Sequence, residues 1–372
     1  MNFSAAINGR RLEIVSKPGL PAWDQITPTQ ALLAEHVLPE GHTLLMGCDH
    51  GALAAALVGQ GVTALTCTDE SLVALQMTAQ TLQANRLPAA DLIPPLTIAG
   101  RYDTVVIRLP KGRKLARRWL VQAYWALAPG GACYLAGANP EGIQAVLKDA
   151  GELFGATSVL GYRKGCRVGR MRKPSGHSAM PAWASQPGIS PGTWQEFPVQ
   201  AAGLEFRIRS LPGVFSFDRL DDGSRLLLEN LALPEGRRVL DFGCGCGVLG
   251  MAAARMGAVQ ADLVDVNLLA VAAAEENLRV NQIGNGRVLP SDLLEAVHDR
   301  RYDAIITNPP FHAGREVNTE ITQRFVRQAQ DCLVPGGALV LVANRFLRYE
   351  LFGKVETLAA NNQYHILKAT KP

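Results

Sequence analysis

Hydrophobic and polar residues follow two alternating patterns along the chain, one typical of buried strands and one typical of helices. In the second half, short apolar runs such as VLDF from Val239 and AIIT from Ala304 predict buried strands. Between them, VLGMAAARMG and LLAVAAAEENLRVNQI carry apolar residues at helical spacing. Strands that alternate with helices predict a mainly parallel sheet with helices on both faces.

The same succession of strands and helices occurs twice in the chain. Two glycines, an acid and an asparagine recur at a constant offset of 196 residues. The matched pairs are Gly47 with Gly243, Gly51 with Gly247, Asp69 with Asp265, and Asn85 with Asn281. Further along, RYDTVVI from Arg101 matches RYDAIIT from Arg301, and LAPGG from Leu127 matches LVPGG from Leu333. The sequence therefore predicts the same α/β domain in tandem.

A stretch rich in Pro, Gly and Ser separates the two copies and is typical of a linker. We expect a first domain over residues 1–173, a linker over 174–194 and a second domain over 195–372. The alternation of apolar and polar residues over 195–216 predicts a hairpin that opens the second domain.

Composition narrows the class of protein without giving its function. With 372 residues, 48% hydrophobic and 19% charged, the chain has the composition of a folded two-domain protein, and its net charge of +4 is mild. Its seven cysteines are odd in number and scattered, which favours reduced thiols over a disulfide framework. No apolar run reaches the roughly 18 residues of a membrane helix, and the N-terminus lacks the pattern of a signal peptide. We expect a cytoplasmic protein.

The loop after the first strand of the second copy is the first candidate site. VLDFGCGCGVLG, residues 239–250, predicts a strand, a glycine loop and the start of a helix. Gly243, Gly245 and Gly247 allow a sharp turn and a close approach of the backbone to a ligand. Asp265 ends the next strand, where its carboxylate can accept hydrogen bonds from ribose hydroxyls. The spacing fits both NAD and S-adenosylmethionine (SAM), and a turn without a ligand is the third interpretation.

Two further features of the second copy have competing interpretations. Asp292 ends the third predicted strand, where its carboxylate is placed either to accept from an adenine amino group or to cap the following helix. Cys244 and Cys246 form a C-x-C pair, but no second pair at zinc spacing follows. Small residues in a tight loop are therefore favoured, and no metal is predicted.

The motif Asn308-Pro309-Pro310-Phe311 follows the fourth predicted strand, at the sheet edge that holds the glycine loop. The exocyclic amine of a base is a poor nucleophile because its lone pair is delocalised. The Asn308 side-chain oxygen and the Pro309 carbonyl can accept its two N–H groups, and the prolines fix that carbonyl. Phe311 offers a face on which a flipped base can stack.

This motif predicts methyl transfer from SAM to an amine. It disfavours NAD, because a dehydrogenase needs a proton donor poised over a carbonyl. The alternative interpretation is a rigid turn that ends a strand.

The first copy lacks this chemistry at the matching positions. The replacements, second copy to first, are Asp241 by Leu45, Gly245 by Asp49, Cys246 by His50, and Asn308-Pro309-Pro310-Phe311 by Arg108-Leu109-Pro110-Lys111. An arginine side chain has no acceptor for an amine, so the first copy is not predicted to methylate.

Instead, the first copy carries two basic runs without acids, KGRKLARR over 111–118 and YRKGCRVGRMRK over 162–173. Such runs fit the phosphate backbone of RNA, and a solvated surface is the alternative. The residues expected to contact RNA are Lys111, Arg113, Lys114, Arg117, Arg118, Arg163, Lys164 and Arg167.

The glycine loop, Asp265 and NPPF together resemble class I SAM-dependent amino methyltransferases. More narrowly, LPGVFSFDRLDDGSRLLLENL over 211–231, NPPFHAG over 308–314 and a duplicated layout with a degenerate first copy resemble the bacterial RsmC/RlmG-type rRNA guanine-N2 methyltransferases. The resemblance covers nearly the whole chain. It implies an α/β fold of two tandem class I methyltransferase-like (Rossmann-like) domains, each a mainly parallel seven-stranded sheet with helices on both faces.

The resemblance also implies a reaction and a set of site residues. The reaction is methylation of guanine N2 in rRNA, with small-subunit rRNA favoured, SAM as donor, S-adenosylhomocysteine as product and no metal. The segment that contains Phe215 and Asp221 is expected to line the donor pocket. The residues expected to bind SAM are Asp241, Gly243, Cys244, Gly245, Gly247, Asp265, Val266, Asp292, Asn308 and Phe215, and those expected to be catalytic are Asn308, Pro309, Pro310 and Phe311.

The expected partner is rRNA or a ribosomal subunit, bound by a monomer in which the first domain supports the fold and grips RNA. N-P-P-[FY] also serves other methylations, so large-subunit guanine N2, adenine N6 and protein glutamine stay open as targets. A non-catalytic RNA-binding factor in ribosome assembly is the alternative from a different class.

Overall fold

The computed structural model of the chain describes residues 2–176, 179–233, 235–309, 312–313, 316–317, 319–345 and 350–372. The chain divides into a first unit, Met1–Trp194, and a second unit, Gln195–Pro372. Each unit begins with a two-stranded hairpin and continues with a seven-stranded sheet.

The first unit contains nine strands and five α-helices among its described residues. In chain order they are β1 (Asn2–Ile7), β2 (Arg10–Val15), α1 (Pro28–His36), β3 (Thr43–Met46), α2 (Ala52–Gly59), β4 (Leu65–Thr68), α3 (Leu72–Ala84), β5 (Asp91–Ile93), β6 (Tyr102–Arg108), α4 (Arg113–Ala126), β7 (Leu127–Ala138), α5 (Ile143–Phe154), β8 (Ser158–Arg163) and β9 (Cys166–Arg172).

The described part of the second unit repeats this order with two differences, a small added hairpin and four α-helices instead of five. Its elements are β10 (Gln195–Ala201), β11 (Leu204–Ser210), α6 (Asp222–Glu229), β12 (Arg238–Phe242), α7 (Val248–Arg255), β13 (Gln260–Asp265), α8 (Leu268–Val280), β14 (Gly286–Pro290), β15 (Tyr302–Thr307), β16 (His312–Ala313), β17 (Glu316–Val317), α9 (Thr319–Cys332), β18 (Leu333–Asn344), β19 (Lys354–Ala360) and β20 (Tyr364–Thr370).

The two large sheets have the same strand order. It is β5-β4-β3-β6-β7-β9-β8 in the first unit and β14-β13-β12-β15-β18-β20-β19 in the second. Neighbouring strands are parallel except where the last two strands of each sheet form an antiparallel edge. The chain moves outward from β12 to β14 and then returns to the other side of β12 as β15. This reversal creates the crevice at which ligands bind in open α/β sheets.

Apolar side chains cover both faces of the second sheet. Ile305 and Ile306 are consecutive in β15, and each is fully buried, one in each of two separate hydrophobic clusters. Met251 of α7 belongs to the cluster with Ile306, and Phe325 of α9 belongs to the cluster with Ile305. Helices therefore pack on both faces, which is why the strands are apolar without alternation. The predicted fold class is confirmed.

An asparagine side chain fastens the opening hairpin of each unit. Asn281 at the end of α8 pairs with Arg207 of β11, accepting from its N–H at 3.0 Å and donating to its carbonyl at 2.9 Å. Asn85 makes the same pair of bonds to Glu13 of β2. The sequence predicted the hairpin of the second unit but not that of the first. The signal in the sequence that could have predicted the first hairpin was the match of Asn85 with Asn281, since both asparagines fasten a hairpin.

Part of the segment expected to be a linker packs within the first unit. Trp183 and Ile189 are buried, and the Trp183 indole donates to Glu152 Oε2 at 2.9 Å. Burial of these two apolar side chains stabilises this Pro-rich stretch against the first unit. Among the described helices, none is long and apolar enough to cross a membrane.

Candidate active site

The glycine loop and Asn308 lie side by side at the crevice of the second unit. Phe242 and Thr307 are register partners at the ends of the parallel strands β12 and β15. The glycine loop begins one residue after Phe242, and Asn308 comes one residue after Thr307. Parallel pairing thus brings two motifs more than 60 residues apart to one edge of the sheet.

The glycine loop turns through backbone conformations that favour glycine. Gly245 and Gly247 have φ of +54° and +84°, in the left-handed region. A Cβ at Gly247 would lie 3.0 Å from Leu263 Cδ2 and 3.1 Å from Ala274 Cβ, because α7 begins here against β13 and α8. At Gly245 the same position faces open space. Gly247 therefore permits close packing of the helix, and Gly245 leaves the backbone open toward a ligand.

Asp241 is fully buried beneath this loop. Its Oδ2 accepts from the Gly250 N–H at 2.7 Å. Its Oδ1 has no hydrogen-bond partner among the described residues. Burial, with a smaller contribution from Asp265, raises the pKa of the Asp241 carboxyl to about 7. A buried carboxylate oxygen without a partner fits a ligand that brings an ammonium group, as the methionine part of SAM does.

Asp265 faces the same loop from the end of β13. Its Oδ2 accepts from the Gly245 N–H at 2.9 Å, and its Oδ1 accepts from the Asn267 N–H at 2.8 Å. Desolvation raises the pKa of this carboxyl. Each oxygen keeps a second lone pair, so the carboxylate is oriented by the backbone and can still accept from two hydroxyls. Val266, which follows it, is partly buried.

Asp292 lies two residues after the end of the next strand, β14, and is buried. The helix expected after it is only a short 3₁₀ turn, Glu295–Val297, and the Ala296 N–H donates to Ser291 Oγ at 3.1 Å. Asp265 ends β13 and Asp292 comes just after the neighbouring strand β14, so both acids lie at the carboxyl edge of the sheet.

An open cavity lies over the glycine loop. Gly245 and Cys246 form its floor, and Phe215 and Asp221 line it together with Asn308. Phe215 is 68% exposed at its mouth. Burial raises the pKa of the Cys246 thiol to about 12 and also raises that of Cys244, which disfavours a thiolate in this loop. Asp221, expected in the pocket from the resemblance, does lie there.

Asn308 has a fixed orientation in this cavity. Its Nδ2 donates to Asp221 Oδ2 at 2.7 Å and to Ser224 Oγ at 3.0 Å. The side-chain oxygen therefore points away from Asp221. Pro309 is buried beside it. Pro310 and Phe311, both expected to be catalytic, lie outside the described residues.

The resemblance implied that the segment from Gly213 to Ser224 lines the donor pocket, but it assigned no individual role to Gly223 or Ser224, which bring the helix α6 to Asn308. The signal present in the sequence was an Asp three residues before a Ser at the start of an apolar run, a helix N-terminus pattern.

The matching place in the first unit holds an ion pair. Arg108 Nε lies 2.6 Å from Asp49 Oδ2, which also accepts from Gln30 Nε2 at 3.1 Å. Asp69 Oδ2 accepts from the Asp49 N–H at 3.2 Å, the counterpart of the bond between Asp265 and Gly245. Burial raises the pKa of Asp49 to about 7 although Arg108 opposes the shift. A guanidinium thus stands among the carboxylates, where the second unit has an open loop and an amide.

The first basic run, on α4, is largely engaged within the first unit. Arg113 and Arg117 each place two nitrogens on Asp149, at 2.7 to 3.0 Å. The Asp149 side chain is fully buried, and the two guanidiniums lower its pKa although burial alone would raise it. Arg118 is buried and donates to the Gly188 carbonyl at 2.7 Å. Lys111 and Lys114 are exposed.

The second basic run lies on the outer hairpin of the sheet, β8 and β9. Tyr162 is 59% exposed, and the Arg167 guanidinium lies 4.8 Å from the centre of its ring. Arg163 pairs with Glu35 at the surface. Lys164 is exposed in the turn between the strands, at a φ of +49°. An aromatic face interleaved with cations is typical of a single-stranded RNA contact.

Among the described residues, no group of three or more His, Cys, Asp or Glu side chains is arranged to hold a metal ion. The second unit combines a glycine loop at a parallel-sheet crevice, acids at the ends of successive strands and an oriented amide. Fold and site together define a class I methyltransferase, with one intact unit and one altered unit.

Comparisons with known proteins agree with this class. The family model described as "Methyltransferase small domain" matches residues 11–169 and 205–368, one match in each unit. A ribosomal RNA small subunit methyltransferase C from Hahella chejuensis is 33% identical over 354 residues, covering 92% of this chain and 98% of that protein. One from Chromohalobacter salexigens is 37% identical over 292 residues, covering 76% of this chain and 82% of that protein.

A solved structure matches the whole chain with a TM-score of 0.83 at 33% identity, covering 100% of this chain and 98% of the other. It is the T. thermophilus 16S rRNA N2 G1207 methyltransferase, in complex with AdoMet (SAM) and guanosine. The chain belongs to the methyltransferase small domain family and, within it, to the ribosomal RNA small subunit methyltransferase C enzymes. The predicted SAM-dependent rRNA methyltransferase is confirmed at this level.

Proposed function

We propose that the second unit methylates the exocyclic N2 amine of a guanine in small-subunit rRNA. The observation that carries this proposal is the Asn308 amide, whose nitrogen is held by Asp221 and which lines the cavity over the glycine loop. The names of the relatives and the guanosine in the T. thermophilus structure support the choice of base and of RNA. The equivalent of that enzyme's G1207 is the proposed nucleotide.

The residues of the second unit that fit SAM follow the parts of that molecule. Asp241 Oδ1 would receive the ammonium group, Asp265 the ribose hydroxyls and Asp292 the adenine amine. The other residues that would contact SAM are Gly243, Cys244, Gly245, Gly247, Val266 and Phe215. When bound, SAM supplies an electrophilic methyl group on a sulfonium and leaves as S-adenosylhomocysteine.

The remaining chemistry belongs to the protein. Asn308 Oδ1 and the Pro309 carbonyl accept the two N–H groups of guanine N2 and favour pyramidalisation of its nitrogen. As the nitrogen gains positive charge, both acceptors bind its hydrogens more strongly, so the stabilisation is greater in the transition state than in the ground state. One proton of the amine is then released to water. Pro310 and Phe311 are proposed to complete the site by rigidity and by stacking.

The first unit is proposed to hold RNA through the β8–β9 hairpin, with Arg163, Lys164 and Arg167 as cations and Tyr162 as a stacking face. Lys111 and Lys114 extend this surface in the proposal. Arg113, Arg117 and Arg118 are proposed instead to stabilise the unit through Asp149 and Gly188. We propose that the protein acts as a monomer in the cytoplasm, where ribosomal subunits assemble.

The experiment that tests this function is incubation of the protein with methyl-labelled SAM and either small subunits, large subunits or their naked rRNA. Nucleosides are then separated and identified by mass. The expected product is N2-methylguanosine, in small-subunit rRNA alone. N6-methyladenosine, or label in large-subunit rRNA, would replace the proposed target. Absence of both methylation and calorimetric SAM binding would favour a non-catalytic assembly factor.

A further inference from the structure

We propose that Asp221, supported by Ser224, is a positioning residue that sets the orientation of the Asn308 amide and strengthens its oxygen as an acceptor. This inference rests on the proposed function, since it assigns how that same site aims its acceptor at the target amine. It is carried by the contacts of Asn308 with a helix that lies 84 to 87 residues earlier in the chain.

The orientation follows from the chemistry of the partners. An amide has a donor end and an acceptor end of nearly equal shape, so its two flipped states compete. A carboxylate only accepts hydrogen bonds, and Asp221 Oδ2 lies 2.7 Å from the Asn308 amide. The donor end must face Asp221. The acceptor end is thereby turned toward the cavity, where the proposed amine would lie.

Asp221 is itself held in place by the start of α6. It is the N-cap of this helix, and its Oδ2 also accepts from the Ser224 N–H at 3.0 Å. Ser224 Oγ receives a second hydrogen bond from Asn308 Nδ2 at 3.0 Å. One turn of helix thus binds both hydrogens of the amide nitrogen, so the orientation is set by two partners fixed to one backbone.

Gly223 lets this turn approach the active site. A Cβ at this position would lie 2.9 Å from Val342 Cγ1 and 3.1 Å from Asp221 Oδ2. It would also lie 3.6 Å from Asn308 Nδ2. A side chain here would push α6 away from β18 and from the amide. The glycine therefore belongs to the positioning device.

The charge of Asp221 adds to the effect of orientation. When the N–H groups of an amide donate to an anion, the carbonyl oxygen gains electron density and accepts more strongly. That oxygen faces a nitrogen on which positive charge develops during transfer. Loss of the carboxylate is therefore expected to lower kcat and to leave binding of the cosubstrate and of RNA nearly unchanged.

The test compares Asp221→Asn with Asp222→Asn in the full-length protein. Asn is as good an N-cap as Asp, so the first variant keeps the helix. It removes the negative charge that fixes and polarises the Asn308 amide and leaves only a neutral amide beside it. Asp222 is the next residue, exposed in the first turn, so the second variant loses the same charge as a matched control. Methyl transfer to small subunits gives kcat and KM, calorimetry with S-adenosylhomocysteine gives Kd, and thermal unfolding gives Tm.

We expect Asp221→Asn to lose about 100-fold in kcat, with KM and Kd within about 2-fold and Tm within about 2 °C of the wild type. The control should keep its kcat within about 2-fold. Ser224→Ala should show a smaller loss of the same kind. A kcat of Asp221→Asn within 2-fold of wild type would overturn the inference. So would a loss that is matched by weaker S-adenosylhomocysteine binding, because Asp221 would then support the pocket as a whole. Failure of the wild type to methylate would instead refute the proposed function.

Discussion

Arg108 of the first unit forms an ion pair with Asp49, and these two residues occupy the positions that Asn308 and Gly245 hold in the second unit. The same sheet edge therefore carries an amide beside an open loop in one unit and a guanidinium among carboxylates in the other. The comparison within one chain separates the residues that build the fold from those that serve the chemistry.

Replacement of Asn308 is expected to remove catalysis without removing the cosubstrate. Asn308→Ala should lower methyl transfer by roughly 100-fold or more, because a preorganised acceptor is lost. Binding of S-adenosylhomocysteine, measured by calorimetry, should stay within about 3-fold. Asn308→Asp should also be inactive, since its carboxylate would face Asp221 at 2.7 Å. An active Asn308→Asp variant would contradict the geometry of this site.

Removal of the Arg108 side chain is expected to destabilise the first unit. Arg108→Ala leaves Asp49, Asp69 and Glu70 without their shared cation, at a cost of about 3 kcal/mol in the free energy of unfolding. The loss in the free energy of unfolding should be larger at pH 8 than at pH 5, because the carboxyls can be protonated in the folded variant at the lower pH. Chemical denaturation measures both values. Arg11→Ala, at an exposed position of the same unit, is the control and should change stability by less than about 0.5 kcal/mol. Equal stability of the two variants would contradict the prediction.

The buried carboxyl of Asp241 predicts a pH dependence of stability. Its pKa in the folded protein is about 7, above its ordinary value of 3.8. Between these two values the folded state holds a proton that the unfolded state has lost, so this group reduces stability as pH rises from about 4 to 7. Asp241→Asn should remove this contribution, roughly 1–4 kcal/mol between pH 5 and 8. If the free energy of unfolding changed with pH in the same way in variant and wild type, the raised pKa of Asp241 would be refuted. Added SAM should diminish the difference, since its ammonium group favours the ionised carboxylate.

The β8–β9 hairpin is expected to contribute directly to RNA affinity. Arg163→Glu with Lys164→Glu should weaken binding of small-subunit rRNA and lower the slope of log K against log salt by about 1–2. The matched control is Arg10→Glu with Arg11→Glu, which makes the same change of net charge on the β1–β2 hairpin of that unit. Fluorescence titration over a range of salt concentrations measures both. An identical slope for the two double variants would assign the effect to net charge alone.

The arginines of α4 are expected to act on stability more than on RNA. Arg113→Ala with Arg117→Ala leaves the Asp149 carboxylate buried without a cation, and should cost about 3 kcal/mol in the free energy of unfolding. The salt slope of RNA binding, measured at a temperature where the variant is folded, should match the wild type. A lower salt slope with unchanged stability would contradict this prediction and would indicate that Arg113 and Arg117 contact RNA.

Sequence patterns alone were sufficient to predict the duplication, the parallel α/β fold and the unit that is proposed to carry the chemistry. Local patterns indicate these features. They are apolar strand runs, helical spacing, a glycine loop, and the difference between NPPF in the second unit and its arginine-containing counterpart in the first. Strand and helix formation depend mainly on neighbouring residues, so one chain read against itself was sufficient.

The partner of each polar side chain, in contrast, became known only from the folded protein. Asp221 reaches Asn308 across 87 residues, and Asp149 captures Arg113 and Arg117 from a different helix. A basic run looks the same in sequence whether it meets solvent, RNA or a buried acid. The difference lies in burial and in distances between elements, which local pattern does not encode because they arise only when the sheets and helices pack.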